Sequence, residues 1–365
     1  MKKFLKYFVI LFFALAVLNS CKKDETPDPF PSELVKGCYI INSGNYNGGG
    51  ASISRYDYDN DALTNSYYQN QNNGNELLSY IQSAYSYNDQ IFMMGNVPDQ
   101  IITVDPLFKQ SRNGVTDKIA KPHDCVANGD YLYVSCWGTN PDWKLMAGSY
   151  IAKYNIKTMT VEDTISLPGG PLGVEIANGK LYAALNYRDS VAVINLSNDA
   201  VSYIATPAVT SYFLKDNSGN LYVSLINTYS DPSNNTGLGY INTSTDELAA
   251  TYPLANVSYE YASIMGANID QSKIYVITAT TDENYNTTGA VSVFDVASKT
   301  FASENLITGI SGAKGLAVNP SNDDIYVFSG ESVTGAGLMK IYNSAGELQG
   351  QKTVGASPTM AIFLQ

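Results

Sequence analysis

The stretch from Gly173 to Thr206 reads GVEIANGKLYAALNYRDSVAVINLSNDAVSYIAT. It holds four short β-forming runs separated by turn residues. Gly173–Ala177 and Leu181–Ala183 are joined by Asn178-Gly179, and Asn-Gly between apolar runs is the strongest short-range signal for a hairpin. Val193-Ile194 ends on Asn195, and the turn-like Ser197-Asn198-Asp199 follows. An Asn or Asp at a strand end bonds its own backbone in an Asx-turn. Val201–Thr206 supplies the fourth run. The stretch therefore reads as an antiparallel meander of four strands, A to D.

The same unit recurs along the chain. Its B strand is marked by Cys38-Tyr39-Ile40-Ile41, Ile91-Phe92-Met93-Met94, Leu132-Tyr133-Val134, Leu181-Tyr182-Ala183, Leu221-Tyr222-Val223, Ile274-Tyr275-Val276 and Ile325-Tyr326-Val327. Successive starts differ by 53, 41, 49, 40, 53 and 51 positions, which are blade-sized periods. Each C strand closes on Asp or Asn: Asp57, Asp105, Asn155, Asn195, Asn242, Asp295 and Asn343. One four-stranded sheet cannot bury both of its faces, so such sheets stack around an axis.

The ends support a ring. The first B strand has no A strand ahead of it, and the last repeat is followed by a surplus run, Met360–Leu364. That run predicts the missing A strand of blade one, which would tie the ends together and remove exposed edges. The expected fold is all-β: a seven-bladed β-propeller of four-stranded antiparallel blades over residues 36–365. An open β-solenoid is the alternative.

Residues 1–35 read differently. Lys2, Lys3 and Lys6 precede an apolar run from Phe8 to Leu18, too short to span a bilayer but suited to a signal peptide over residues 1–20. Leu18-Asn19-Ser20-Cys21 resembles a lipobox, which makes Cys21 the expected lipidated residue. Residues 21–35, charged at first and then carrying Pro27, Pro29 and Pro31, read as a flexible tether. The expectation is a lipid-anchored outer-membrane protein, and the charged cluster Lys22–Glu25 looks like a signal for the exterior face. The chain's net charge of −12 becomes −15 once the three lysines of residues 1–20 are removed. So acidic a body excludes nucleic acid, whose phosphates require Lys and Arg. The remaining cysteines, Cys38, Cys125 and Cys136, fit no metal motif; one pair could be oxidised, or all could be buried thiols.

Function is expected where D–A and B–C loops gather at one end of the ring, because loops carry sites that the sheets position. The B–C loops supply Tyr46, Asn96, Asp99, Trp137, Trp143, Tyr187, Arg188, Tyr229, Tyr285 and Glu331. The D–A loops supply His123, Asp124 and Tyr259. Part of the 28 tyrosines follows from the B strands, but the loop aromatics do not. Rigid aromatic area beside amide donors and acceptors suits a bulky neutral ligand or a sugar chain. His123, the single histidine, has three readings: a structural side chain, an axial or metal ligand, or a general base with Asp124. Catalytic and metal-binding constellations are otherwise not legible, and an enzyme such as a propeller lactonase ranks last.

The repeats resemble YVTN/YncE-like propellers. Leu221-Tyr222-Val223 and Val193-Ile194-Asn195 carry that likeness. Tyr39-Ile40-Ile41-Asn42-Ser43-Gly44-Asn45-Tyr46 and Ile341-Tyr342-Asn343-Ser344-Ala345-Gly346-Glu347-Leu348 look like the opening and closing repeats of the DUF5074 propellers of Bacteroidetes surface lipoproteins. Some of that group capture cobalamin beside an outer-membrane vitamin B12 transporter. The resemblance thus implies capture of a corrinoid or similar large nutrient for a TonB-dependent transporter, with cobalamin as transported ligand and no intrinsic cofactor. A glycan- or protein-binding adhesion or scaffold propeller is the alternative, since fold alone does not choose.

Overall fold

A computed structural model describes residues 36–46, 50–228, 234–257, 263–283 and 286–365. The expected signal peptide, the tether and Cys21 lie outside the described residues.

The described chain forms seven antiparallel sheets in succession. Blade three shows the pattern. Strand A is Pro122–Asn128, B Tyr131–Cys136, C Tyr150–Asn155 and D Thr160–Ser166. Blades four, five and seven repeat it. Blade one is completed by the far end of the chain: Pro358–Leu364 pairs with Gly37–Asn42, placing Cys38 opposite Phe363 and Ile40 opposite Ala361. Two blades vary. Blade six carries its outer strand in two pieces, Thr300–Phe301 and Ile307–Ser311, and blade two has three strands.

Strand composition follows position. B strands are sandwiched between neighbouring blades, so both faces need apolar cover; Gly37–Asn42, Leu221–Leu225 and Ile325–Ser329 are buried throughout. D strands are solvated on one side and alternate, as Thr160–Ser166 does. The core is accordingly divided into seven wedges, one between each pair of adjacent blades. Tyr182, Ala184 and Val193 of blade four, for example, meet Leu221, Val223 and Ile241 of blade five. Polar ties cross the wedges too: the Tyr182 hydroxyl donates to Asp246 of blade five, which also pairs with Lys180 at 2.6 Å.

All seven C-strand markers form the expected turns. The Oδ1 atoms of Asp57, Asp105, Asn155, Asn195, Asn242, Asp295 and Asn343 each accept a backbone N–H two or three residues on, at 2.7–3.2 Å. Such bonds favour the ionised form: the Asn60 side-chain amide, joined by its backbone N–H, holds the Asp57 carboxyl below the usual range, and the Ser298 N–H does the same for Asp295. The three cysteines are buried free thiols.

The innermost strands converge closely. Six of them slip register, at Gln82, His123–Asp124, Leu172–Gly173, Ser211–Tyr212, Lys314 and Thr359. Where one bulge meets its neighbour there is no room for a side chain. A Cβ on Gly315 would lie 2.0 Å from the Thr359 carbonyl oxygen, and one on Gly173 2.7 Å from that of Ser211. Glycine at these positions lets adjacent blades close around the axis.

Candidate functional site

In blades three, four, five and seven the B–C loop leaves its strand bonded to the D–A loop of the same blade. Trp137 N donates to Lys121 O at 3.1 Å, Asn186 N to Gly170 O at 3.0 Å, Ile226 N to Val209 O at 2.9 Å and Gly330 N to Gly312 O at 2.9 Å. The two loop sets therefore share one face of the ring.

On that face, blades three and four bring four of the expected residues together. The Trp137 ring lies 4.0 Å from His123, 5.9 Å from Trp143 and 5.6 Å from Tyr187. The last two are edge-on, the geometry that aromatic quadrupoles favour. Trp137 is the floor: it is 6% exposed, and its indole N–H donates to Pro171 O at 3.0 Å. It belongs to a buried cluster that continues through Met146, Leu172 and Val209 under blades five and six. Trp143 is the wall, 55% exposed, beside Leu145 at 72%.

The loop carrying Trp143 is built around Asp142. Its carboxylate accepts the N–H groups of Lys144, Leu145, Met146 and Ala147 at 2.7–3.4 Å, and these bonds hold its pKa low. Trp143 and Met146 both take left-handed backbone conformations, φ 54° and 49°. Such conformations persist only where surrounding bonds over-determine them. Met146 anchors the loop below, fully buried.

Towards blades one and two a more polar sector continues the face. Lys121 Nζ donates to the Tyr46 hydroxyl at 3.0 Å, and Lys121 N donates to Asp99 Oδ2 at 2.9 Å. Tyr46 meets Tyr80 edge-on at 5.9 Å, and Asn96 Nδ2 donates to Pro122 O at 2.7 Å. Asn96 and Asp99 thus hold the loop of the next blade, whereas Tyr46 is open to solvent.

His123 and Asp124 occupy the bulge of blade three and do not pair with each other. Burial, helped by the Lys121 charge, pushes the imidazole pKa down to about 3, so the ring is neutral against Trp137. Burial pushes the Asp124 carboxyl up to about 7, although it accepts Val174 N of blade four at 3.0 Å. Among the described residues, no three His, Cys, Asp or Glu side chains converge as metal donors.

Other expected residues stand apart. Arg188 lies over the Tyr203 ring of its own blade's outer strand, 4.0 Å from the centroid, and is directed away from the aromatic cluster. Glu331 of blade seven accepts the hydroxyl of Ser311, in the outer strand of blade six, at 2.8 Å. Tyr229, Tyr259 and Tyr285 lie outside the described residues. Sequence reasoning missed Lys121, Tyr80, Asp142 and Met146. Only Lys121 left a trace, as the residue preceding the Pro122-His123 start of an A strand.

A closed ring of seven blades, with one face formed by irregular aromatic loops, defines the chain as a β-propeller. The chain belongs to the family described as a domain of unknown function, DUF5074, which it matches over residues 36–363. No curated protein sequence matches it. Among solved structures, a quinoprotein alcohol dehydrogenase-like protein of Bacteroides thetaiotaomicron superposes with a TM-score of 0.65 at 16% identity, covering 90% of this chain and 78% of that one. A periplasmic gluconolactonase of Pseudomonas aeruginosa gives 0.64 at 13% identity, with 90% and 99% covered. Hydrazine synthase of Kuenenia stuttgartiensis gives 0.55 at 16%, with 69% and 73% covered. At these identities the likeness is one of fold.

Proposed function

We propose that this propeller is a ligand-capture protein, working at the outer membrane on a lipid anchor at Cys21, and that its aromatic loop face binds a large, neutral, amide-rich nutrient. A corrinoid such as cobalamin is the favoured ligand, handed on to a TonB-dependent transporter. The observation that carries the reading is the exposed Trp143 held on a four-bonded loop above buried Trp137. A preorganised exposed aromatic loses little entropy on binding, and such residues dominate binding energy. The neutral imidazole of His123 and the Tyr46–Lys121 pair add polar contacts without a strong field, which suits an uncharged ligand. In this reading His123 and Asp124 serve the scaffold: one rests on Trp137, and the other accepts Val174 N at 3.0 Å.

The test is isothermal titration of residues 36–365 with cyanocobalamin. One-to-one binding is expected, weakened about tenfold to a hundredfold in Trp143→Ala and in Tyr187→Ala. Trp137 is unsuitable for this purpose, because its removal would open the core. No heat at micromolar protein removes cobalamin as the ligand and leaves a glycan or a protein partner as the occupant of the same face.

A further inference from the structure

Blade two departs from the repeat in one place. After strand C, Gln100–Val104, the chain runs through 105–121 and rejoins the sheet only at a single bridge between Val115 and Ile101. Beside it stands Tyr67–Gln71, the one helix among the described residues. Between the two is a cavity of about 400 Å³, where the other blades pack an outer strand. That is the size of a small-molecule pocket.

The walls are fixed from behind. Buried Asn72 accepts the Gln110 N–H at 2.7 Å and donates to the carbonyls of Tyr68 and Phe108. The Tyr68 hydroxyl donates to Gln110 Oε1, and Gln110 Nε2 donates to Arg112 O at 2.7 Å. Gln100 Nε2 donates to the Ser79 hydroxyl at 2.7 Å. Its Oε1 lies against Gly114, where a Cβ would come within 2.0 Å of it. Any larger residue at 114 would displace that amide.

The lining has two characters. Leu77, Leu78, Pro98 and Ile102 are apolar, and Leu78 is 68% exposed at the lip. Asn75 and Asn113 bring carboxamides to the lining, while that of Gln100 is held by Ser79 and Gly114. Glu76 and Arg112 also line the space and form no ion pair with each other. An anionic ligand would meet the Glu76 carboxylate, whereas the Arg112 guanidinium donates to Met159 Sδ of blade three at 3.3 Å. A neutral ring with one C–H face and a rim of hydroxyls satisfies both halves: apolar against apolar, hydroxyls to the amides and the Glu76 carboxylate. We infer that this cavity is a binding site for a neutral sugar residue of monosaccharide size, separate from the aromatic face.

The test is saturation-transfer NMR on the full-length protein, with the methyl glycosides of glucose, galactose, mannose and N-acetylglucosamine as probes and glutamate and arginine as charged controls. At least one glycoside should receive saturation on its ring protons. Ser111→Trp, which fills the cavity from its exposed edge, should abolish the signal. Asn113→Ala should weaken binding about fivefold by loss of a carboxamide hydrogen bond, and serves if the tryptophan variant does not fold. Trp143→Ala should leave the signal intact, which separates this site from the one on the aromatic face. Silence from all four glycosides, equal saturation of the charged controls, or a signal indifferent to both cavity variants would overturn the inference.

Discussion

His123 and Asp124 sit side by side in one bulge, and burial moves them in opposite senses. The imidazole, at about 3 in the fold against 6.5 when free, stays unprotonated where the unfolded chain takes up a proton. Stability from this residue therefore falls as pH drops from about 6.5 towards 3. The carboxyl, at about 7 against 3.8, keeps its proton where the unfolded chain has lost one. Stability from that residue falls as pH rises from about 4 to 7. Lys121 adds to the first shift and Glu175 to the second, and Asp124 in turn raises buried Cys125. The two slopes, each up to ~1.4 kcal/mol per pH unit, oppose one another in the native protein. His123→Phe should therefore give a melting temperature that declines between pH 4 and 7, and Asp124→Asn one that climbs between pH 4 and 6.5. Parallel profiles for the two variants would refute this assignment. The pair also shows where sequence reasoning stops. His123 and Asp124 were legible as a candidate acid–base couple by adjacency, but the bulge sends one to Trp137 and the other to Val174.

Among elements, the B strands and the Asx-turns were readable because their constraints are local or purely compositional. A strand covered on both faces must be apolar, and a turn that needs a side-chain acceptor must have Asp or Asn. The missing fourth strand of blade two was not readable. Residues 105–121 contain Val115 and Ile119 within a polar stretch, and only the neighbouring helix and loop decide that no strand forms. Trp137 and Trp143 make the same point. Both lie in one B–C loop, yet one is floor and the other wall, because Pro171 of the next blade takes the Trp137 indole N–H and leaves Trp143 uncovered. The loop between them depends on Asp142 rather than on either tryptophan. Asp142→Ala should leave the melting temperature nearly unchanged while exposing the loop to trypsin at Lys144, with cleavage located by mass spectrometry. Equal resistance of the variant and the native protein would mean that packing of Met146 alone holds the loop.

For the whole molecule, stability rests on seven wedges of similar build, and the ring is only as complete as its closing pair. Met360, Ile362 and Leu364 fill the wedge between blades one and two, while Ala361 and Phe363 pack against the wedge between blades seven and one. Removing 358–365 exposes both wedges and leaves the edge of Gly37–Asn42 unpaired. Calorimetry of that variant should show the single unfolding transition of the ring replaced by a broad, low-enthalpy one. A sharp transition near the native temperature would mean that neighbouring blades suffice to hold blade one.

The closing pair also sets the order of events during synthesis. Ser43 and Thr359, bonded through their hydroxyls at 2.7 Å, stand 316 positions apart. Contacts of such separation form late, since the intervening chain must be ordered before they can be made. Blade one, whose other strands are made early, must therefore wait for Pro358–Leu364 before its sheet is complete. Until that strand emerges the ring stays unsealed, and blade one keeps a bare inner edge while the blades built from neighbouring strands assemble.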